Sequence, residues 1–417
     1  MKSNSRLCSI VDAYSSGQYL AGELKKYGYD CVHVQSTPVI PPNFRPSFRP
    51  DDFIDNIIYQ GDIEETIEHL SRYNIDFLIV GTESGVELAD ILAHKMGLPA
   101  NGIELSKARR NKYEMTEVVR AAGLKAINQI KSSSLDEVVS WVRDRNKWPI
   151  VLKPVDSTGT NNVIFCEDEK EVISAFNRIM TSKNVMGRQN GEVLAQEFLE
   201  GTEYCVNTVS WEGKHYIAEI WRFRKRITPG AGYIYDAEEP IPYEGSVQKE
   251  LCDYVCDVLD ALDVRFGAAH TEVMMTAEGP ILIETGARLV GAIVPGVISQ
   301  CLGCNQVELT VEAYVEPDKF LARMGQPYSI QKNLLCVSLI SSLEGVVKSL
   351  SAFEKIRGLP SFAHMSLSIA VGSCIQPTVD IVTSPGIVYL AHQDQDILRQ
   401  DYETIRSFED NGLFETQ

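Results

Sequence analysis

A chain of 417 residues is too long for one simple core and predicts roughly two to four subdomains. Its 44% hydrophobic and 23% charged content is that of an ordinary globular protein, and a formal net charge of −18 excludes a general binder of nucleic acid or anionic membrane. A local basic pocket for a phosphate ligand is still allowed. No apolar run reaches membrane-spanning length, and no apolar core follows Lys2 and Arg6, so a cytoplasmic protein without a signal peptide is expected. The ten cysteines are scattered, with Cys301 and Cys304 the only Cys-x-x-Cys; they are read as reduced, mostly buried thiols.

Leu7 to Val11 reads as a strand, Tyr19 to Leu24 as a helix closed by Gly28, and Tyr29 to Val34 as a second strand. That order opens an α/β domain. No Gly-x-Gly-x-x-Gly follows the first strand, which argues against a dinucleotide site. The proline-rich stretch 38–50 is a loop; 63–73 is helical, Phe77 to Gly81 an apolar strand, and 86–96 a helix ended by Gly97. The first domain is expected to end near residue 105.

The stretch 107–122 reads as a polar helix carrying Arg109, Arg110 and Lys112, by itself a solvated basic face. The strand 148–154 places Lys153 before a small, hydroxyl- and amide-rich loop, Val155 to Asn162. Such a loop can wrap phosphate oxygens with backbone N–H groups, or be a plain hairpin turn. After a helix over 169–180, the strand Val193 to Leu199 leads into Glu200-Gly201-Thr202-Glu203, a linker suited to a flat heterocycle with a carboxylate beside it. Arg222, Arg224, Lys225 and Arg226 then precede the glycine-rich 229–233. This run reads either as a solvated loop or as a lid over a polyphosphate.

His270 to Met275 and Ile281 to Arg288 are two strand-like runs around a Gly-Pro turn, which predicts paired strands. Each holds one carboxylate among apolar neighbours, Glu272 and Glu284. Two such groups on adjacent strands suit a hard divalent ion completed by phosphate oxygens. Arg288 would add a bidentate donor, the alternative being a structural ion pair with one glutamate. Beyond it, Gly291 and Ala292 belong to a tight small-residue loop. From 333 onward strands alternate with turns until a helix over 394–408.

This order of features resembles the ATP-grasp superfamily, and within it the carboxylate–amine ligases similar to L-amino-acid ligases and dapdiamide-type synthetases. The resemblance rests on Val151-Leu152-Lys153-Pro154, on 196–203 (Gln-Glu-Phe-Leu-Glu-Gly-Thr-Glu), on His270-Thr271-Glu272 and on Glu284-Thr285-Gly286-Ala287-Arg288. It implies an α/β ATP-grasp fold, α+β in its central and C-terminal parts. The implied divisions are an N-terminal domain 1–106, a linking helix 107–124, a central lid 125–205, a catalytic subdomain 206–325 and a β-rich subdomain 326–417.

The resemblance also implies roles. Lys112 and Lys153 would meet ATP phosphates, covered by Ser157, Thr158, Gly159 and Asn161, and Lys225 would also bind the nucleotide. Gln196, Glu197, Phe198 and Leu199 would form the adenine hinge and Glu203 would bind ribose. Glu272 and Glu284 would hold one or two Mg²⁺, with Mn²⁺ as a substitute. His270, Arg288, Gly291 and Ala292 would face the acyl substrate, with Lys153, His270 and Arg288 catalytic. Gly286 stands where many such enzymes carry asparagine, which leaves a second metal to Glu284 and water. The expected partners are small amino acids or related carboxylates, and a second copy of the chain as a homodimer. The alternatives are a carboxylase or purine-pathway ATP-grasp enzyme, and a nucleotide-binding regulator.

Overall fold

The computed structural model describes residues 6–155, 163–182, 189–228 and 232–417. Ser157, Thr158, Gly159 and Asn161 lie outside them.

The chain opens with β1 (Arg6–Val11), α1 (Leu20–Lys26), β2 (Tyr29–Gln35), β3 (Phe53–Ile58), α2 (Ile63–Leu70), β4 (Leu78–Val80) and α3 (Val86–Lys95). Their four strands form a parallel sheet in the order β3-β2-β1-β4. Parallel strands are buried on both faces, which is why Ile10, Val32, Val34 and Ile79 are all inaccessible.

The expected helix at 107–122 starts five residues late. α4 runs Lys112–Ala121, capped by Asn111, whose side chain accepts from the N–H groups of Tyr113 and Glu114 at 3.1 and 3.0 Å. The preceding residues are turns, and Arg109 is not on a solvated face. It is fully buried, with Nη2 donating to Asp90 at 2.9 Å and Nη1 to the carbonyl of Leu262 at 2.9 Å. A cation stripped of water needs such a carboxylate.

The central region comprises β5 (Gln129–Ser132), α5 (Leu135–Arg145), β6 (Ile150–Pro154), β7 (Ile164–Cys166), α6 (Glu169–Thr181) and β8 (Val193–Glu197). Its antiparallel sheet has the order β5-β8-β6-β7. Both helices pack on that sheet around Val142, Ile150, Leu152 and Ile179.

There follow β9 (Thr202–Trp211), β10 (Lys214–Thr228), β11 (Gly232–Pro240), α7 (Ser246–Ala261), β12 (Gly267–Thr276), β13 (Gly279–Gly286), α8 (Pro295–Leu302), α9 (Gln306–Val315) and α10 (Pro317–Leu321). The chain ends with β14 (Asn333–Ser338), β15 (Gly345–Ser349), α11 (Glu354–Arg357), β16 (Phe362–Leu367), β17 (Cys374–Ile375), β18 (Gly386–His392), α12 (Gln395–Asp410) and β19 (Glu415–Thr416). Eight of these strands make one antiparallel sheet, β13-β12-β9-β10-β11-β14-β18-β16. The expected boundary at 205/206 therefore falls inside β9, and strands beyond 326 complete the same sheet. One apolar cluster joins β1 and α1 to α7, α8 and α9, so the N-terminal domain packs directly on the large sheet's helices.

The basic run at 222–226 is strand rather than loop. β10 and β11 pair as a long hairpin with a bulge between Arg224 and Lys225. Period-two alternation sends Arg222 and Arg224 to Glu239, and Arg226 to Asp236 at 2.9 Å, while Lys225 points to the opposite face.

Candidate active site

A cavity of about 550 Å³ opens between the central sheet and one face of the large sheet. Lys112, Lys153, Gln196, Glu197, Phe198, Leu199, Glu203, Lys225, Glu272 and Glu284 all line it. Ten residues chosen from sequence are thus brought to one cavity.

The geometry follows from strand register. β12 and β13 are antiparallel, and Glu272 lies directly opposite Glu284, so both carboxylates project from the same face. Lys112, on the first turn of α4, forms an ion pair with Glu284. Burial works to raise the Glu284 carboxyl, but Lys112, then Lys153 and Arg288, hold it down at about 2. Lys153 is the last residue but one of β6, where burial and the adjacent Lys112 bring its ammonium down to about 8. Burial also pushes up the carboxyl of Glu203, against the pull of Lys225, whose Nζ is 2.6 Å away.

At the hinge, Gln196 Nε2 donates to Gln129 Oε1 at 2.9 Å, and Glu197 Oε1 accepts from both the backbone and the side-chain N–H of Asn128 at 2.9 Å. These side chains lock β5 to β8. The backbone at 198–200 belongs to no strand. Phe198, Phe165 and Tyr233 form an aromatic wall there, Phe198 and Tyr233 stacked with centroids 6.0 Å apart.

His270 and Arg288 lie off the cavity wall. His270 Nδ1 donates to Asn207 Oδ1 at 2.8 Å, because Asn207 commits its Nδ2 to Glu219 at 2.7 Å. This leaves His270 Nε2 facing Glu272 Oε1 at 3.4 Å. Arg288 is an ion-pair residue, but with Glu83 of the N-terminal domain rather than with Glu272 or Glu284: its Nε donates to Glu83 Oε2 at 3.0 Å. Gly291 and Ala292 are exposed, and Ala292 is held left-handed (φ 54°) with its carbonyl accepting from the Tyr389 hydroxyl. Glu83, Asn207 and Glu219 carry no local signal that sequence reasoning could have used. Their partners are 205, 63 and 12 residues away.

Two facing carboxylates with lysines beside them, in a cavity between a small and a large antiparallel sheet, have the charge and shape that a nucleotide polyphosphate with its cation requires. Residues 146–295 match the ATP-grasp domain. The chain is 35% identical to dapdiamide A synthase of Enterobacter agglomerans, over 97% of this chain and 96% of that protein. It is 22% identical to the alanine–anticapsin ligase of Bacillus subtilis (strain 168), over 60% of this chain and 56% of that one. The structure of an L-amino acid ligase from Bacillus licheniformis superposes with a TM-score of 0.76 at 15% identity, covering 96% of this chain and 97% of that one, and so shares the fold. The chain belongs to the ATP-grasp carboxylate–amine ligases, enzymes that form an amide bond at the expense of ATP.

Proposed function

We propose that this enzyme joins an amino acid, or a similar small carboxylate, to the amine of a second amino acid through an acyl phosphate, releasing ADP and phosphate. The observation that carries the reading is the Glu272–Glu284 pair at the lysine-lined end of the cavity. Adenine would lie against the aromatic wall and the unpaired backbone of the hinge, with ribose hydroxyls on Glu203. Lys112 and Lys153 would neutralise the phosphates. Glu272 and Glu284 would hold Mg²⁺, or Mn²⁺ in its place. They fit such an ion: among the described residues no third His, Cys, Asp or Glu completes a protein cage, which leaves positions for phosphate oxygens, and the Lys112 ammonium already sits against Glu284. When bound, the ion supplies charge neutralisation on the transferring phosphoryl group.

Arg288 would take the acyl phosphate, with Gly291 and Ala292 at the rim and His270 Nε2 beside the acyl carbon. The central region, closing over the cavity, would keep water from the mixed anhydride. The name of the alanine–anticapsin ligase supports an amino acid as a substrate. The cysteines, all unbridged, fit a cytoplasmic setting.

The test is phosphate release from ATP and Mg²⁺, screened over pairs of amino acids, with Glu284→Ala as the control. Pair-dependent release, a product mass equal to the condensed pair, and loss of at least about a hundredfold in the control are expected. Silence with every pair while ATP still binds would overturn the amino-acid reading.

A further inference from the structure

Position 286 is glycine for a reason visible in three dimensions. A Cβ built there would lie 2.8 Å from Glu83 Oε2 and 3.1 Å from the guanidinium carbon of Arg288. A methyl group there would push the end of the Glu83 side chain, and the guanidinium beside it, out of their present contact. The space above residue 286 is filled by a side chain from a different domain.

Glu83 is presented rigidly. It opens a one-turn helix, Glu83–Gly85, directly after β4. Gly81, between them, packs on the end of β1 so closely that a Cβ would sit 2.3 Å from the Asp12 carbonyl oxygen. The Ser84 hydroxyl donates to Asp12 Oδ2 at 2.5 Å. From this edge, Glu83 Oε2 accepts from Arg288 Nε, and its Oε1 lies 3.7 Å from Arg110 Nε. Arg288 Nη1 donates to the carbonyl of Leu289 at 3.1 Å. Among the described residues Nη2 has no partner. Two of the three guanidinium nitrogens are therefore committed, which fixes the plane and leaves the Nη2 donors for an anion.

We infer that Glu83 is a positioning residue for acyl transfer: the N-terminal domain aims Arg288, and Gly286 is there to admit the Glu83 carboxylate. The inference rests on the reading of Arg288 as the acyl-phosphate ligand. It makes the first domain part of the transfer site rather than a neighbour of it.

The experiment compares Glu83→Ala, Glu83→Gln, Gly286→Ala and the double variant Glu83→Ala/Gly286→Ala in the full chain. Two readouts are taken: amino-acid-dependent phosphate release, and the rate of phenylglyoxal labelling of Arg288 by peptide mapping, which needs no turnover. Glu83→Ala should lower kcat about 10- to 100-fold while KM for ATP stays within about twofold. Glu83→Gln, which keeps an acceptor oxygen, should recover part of that loss. Gly286→Ala should fall with Glu83→Ala, and the double variant should be no worse than the poorer single one, because both remove one contact. Arg288 labelling should rise about tenfold in Glu83→Ala and Gly286→Ala. Unchanged labelling in the Glu83 variants, or losses that multiply in the double one, would overturn the inference. If wild-type enzyme turned over no pair, the substrate reading would fail by itself, and labelling would still decide the role of Glu83.

Discussion

Glu219 lies on β10 with 1% of its surface exposed, one oxygen accepting from Asn207 at 2.7 Å and the other, among the described residues, without a partner. Burial pushes its carboxyl up from 4.5 to about 7. A carboxyl whose folded value exceeds its unfolded one costs nothing while both states are protonated, below about pH 4.5. The cost grows as pH rises and is complete above about pH 7. Glu219→Gln keeps the acceptor for Asn207 and removes the titration. Its stability relative to wild type should therefore improve by about 2 kcal/mol between pH 5 and pH 8, read from urea unfolding. A flat difference across that range would show that Glu219 is not carrying the burden. Glu272 and Glu284 were legible in the sequence because one short hairpin sets their register, and a strand pair is a local object. Glu219, Asn207 and Glu83 were not, since what makes them matter is a neighbour on another strand or in another domain.

At the scale of elements, the segment that ends in α4 divides its cations by depth. Lys112 faces the cavity, Arg110 sits near Glu83 and Glu87, and Arg109 is buried against Asp90 and the end of α7. From sequence these are three similar residues in four positions, and only Lys112 could be singled out, through a resemblance rather than a pattern. Burying Arg109 makes it a strap between the first domain and the large sheet's helices. Arg109→Ala would leave Asp90 charged, or protonated at a cost, with no guanidinium beside it. A loss of about 3–5 kcal/mol is expected, measured as a shift of the urea midpoint. A loss under about 1 kcal/mol would place the strap's strength in apolar packing instead. The β10–β11 hairpin shows the converse case: alternation was present in the sequence at 222–226, but four cations in five residues suggested a solvated loop. Glu239 and Asp236 on the partner strand absorb three of them.

For the whole molecule, the site is a junction rather than the property of one domain. The central region supplies Lys153 and residues 196–199, the linking segment Lys112, the large sheet Glu272 and Glu284, and the first domain Glu83. Even the loop after β17 contributes, through Val379 on the cavity wall. A ligand that bridges these parts binds the folded chain and not the unfolded one, so it must raise stability by mass action. At about a hundredfold excess over its Kd, ADP with Mg²⁺ should add about 2.7 kcal/mol, seen as a rise of several degrees in Tm. Two lysines held close together in a buried site repel one another, and Glu272 and Glu284 are the counter-charges that make the arrangement tolerable. Replacing both glutamates by glutamine should therefore leave some stabilisation by ADP alone, through the lysines, and abolish the increment that Mg²⁺ adds to it. A double variant that kept the full Mg²⁺-dependent rise would move the ion away from the β12–β13 pair, and the phosphoryl-transfer centre with it.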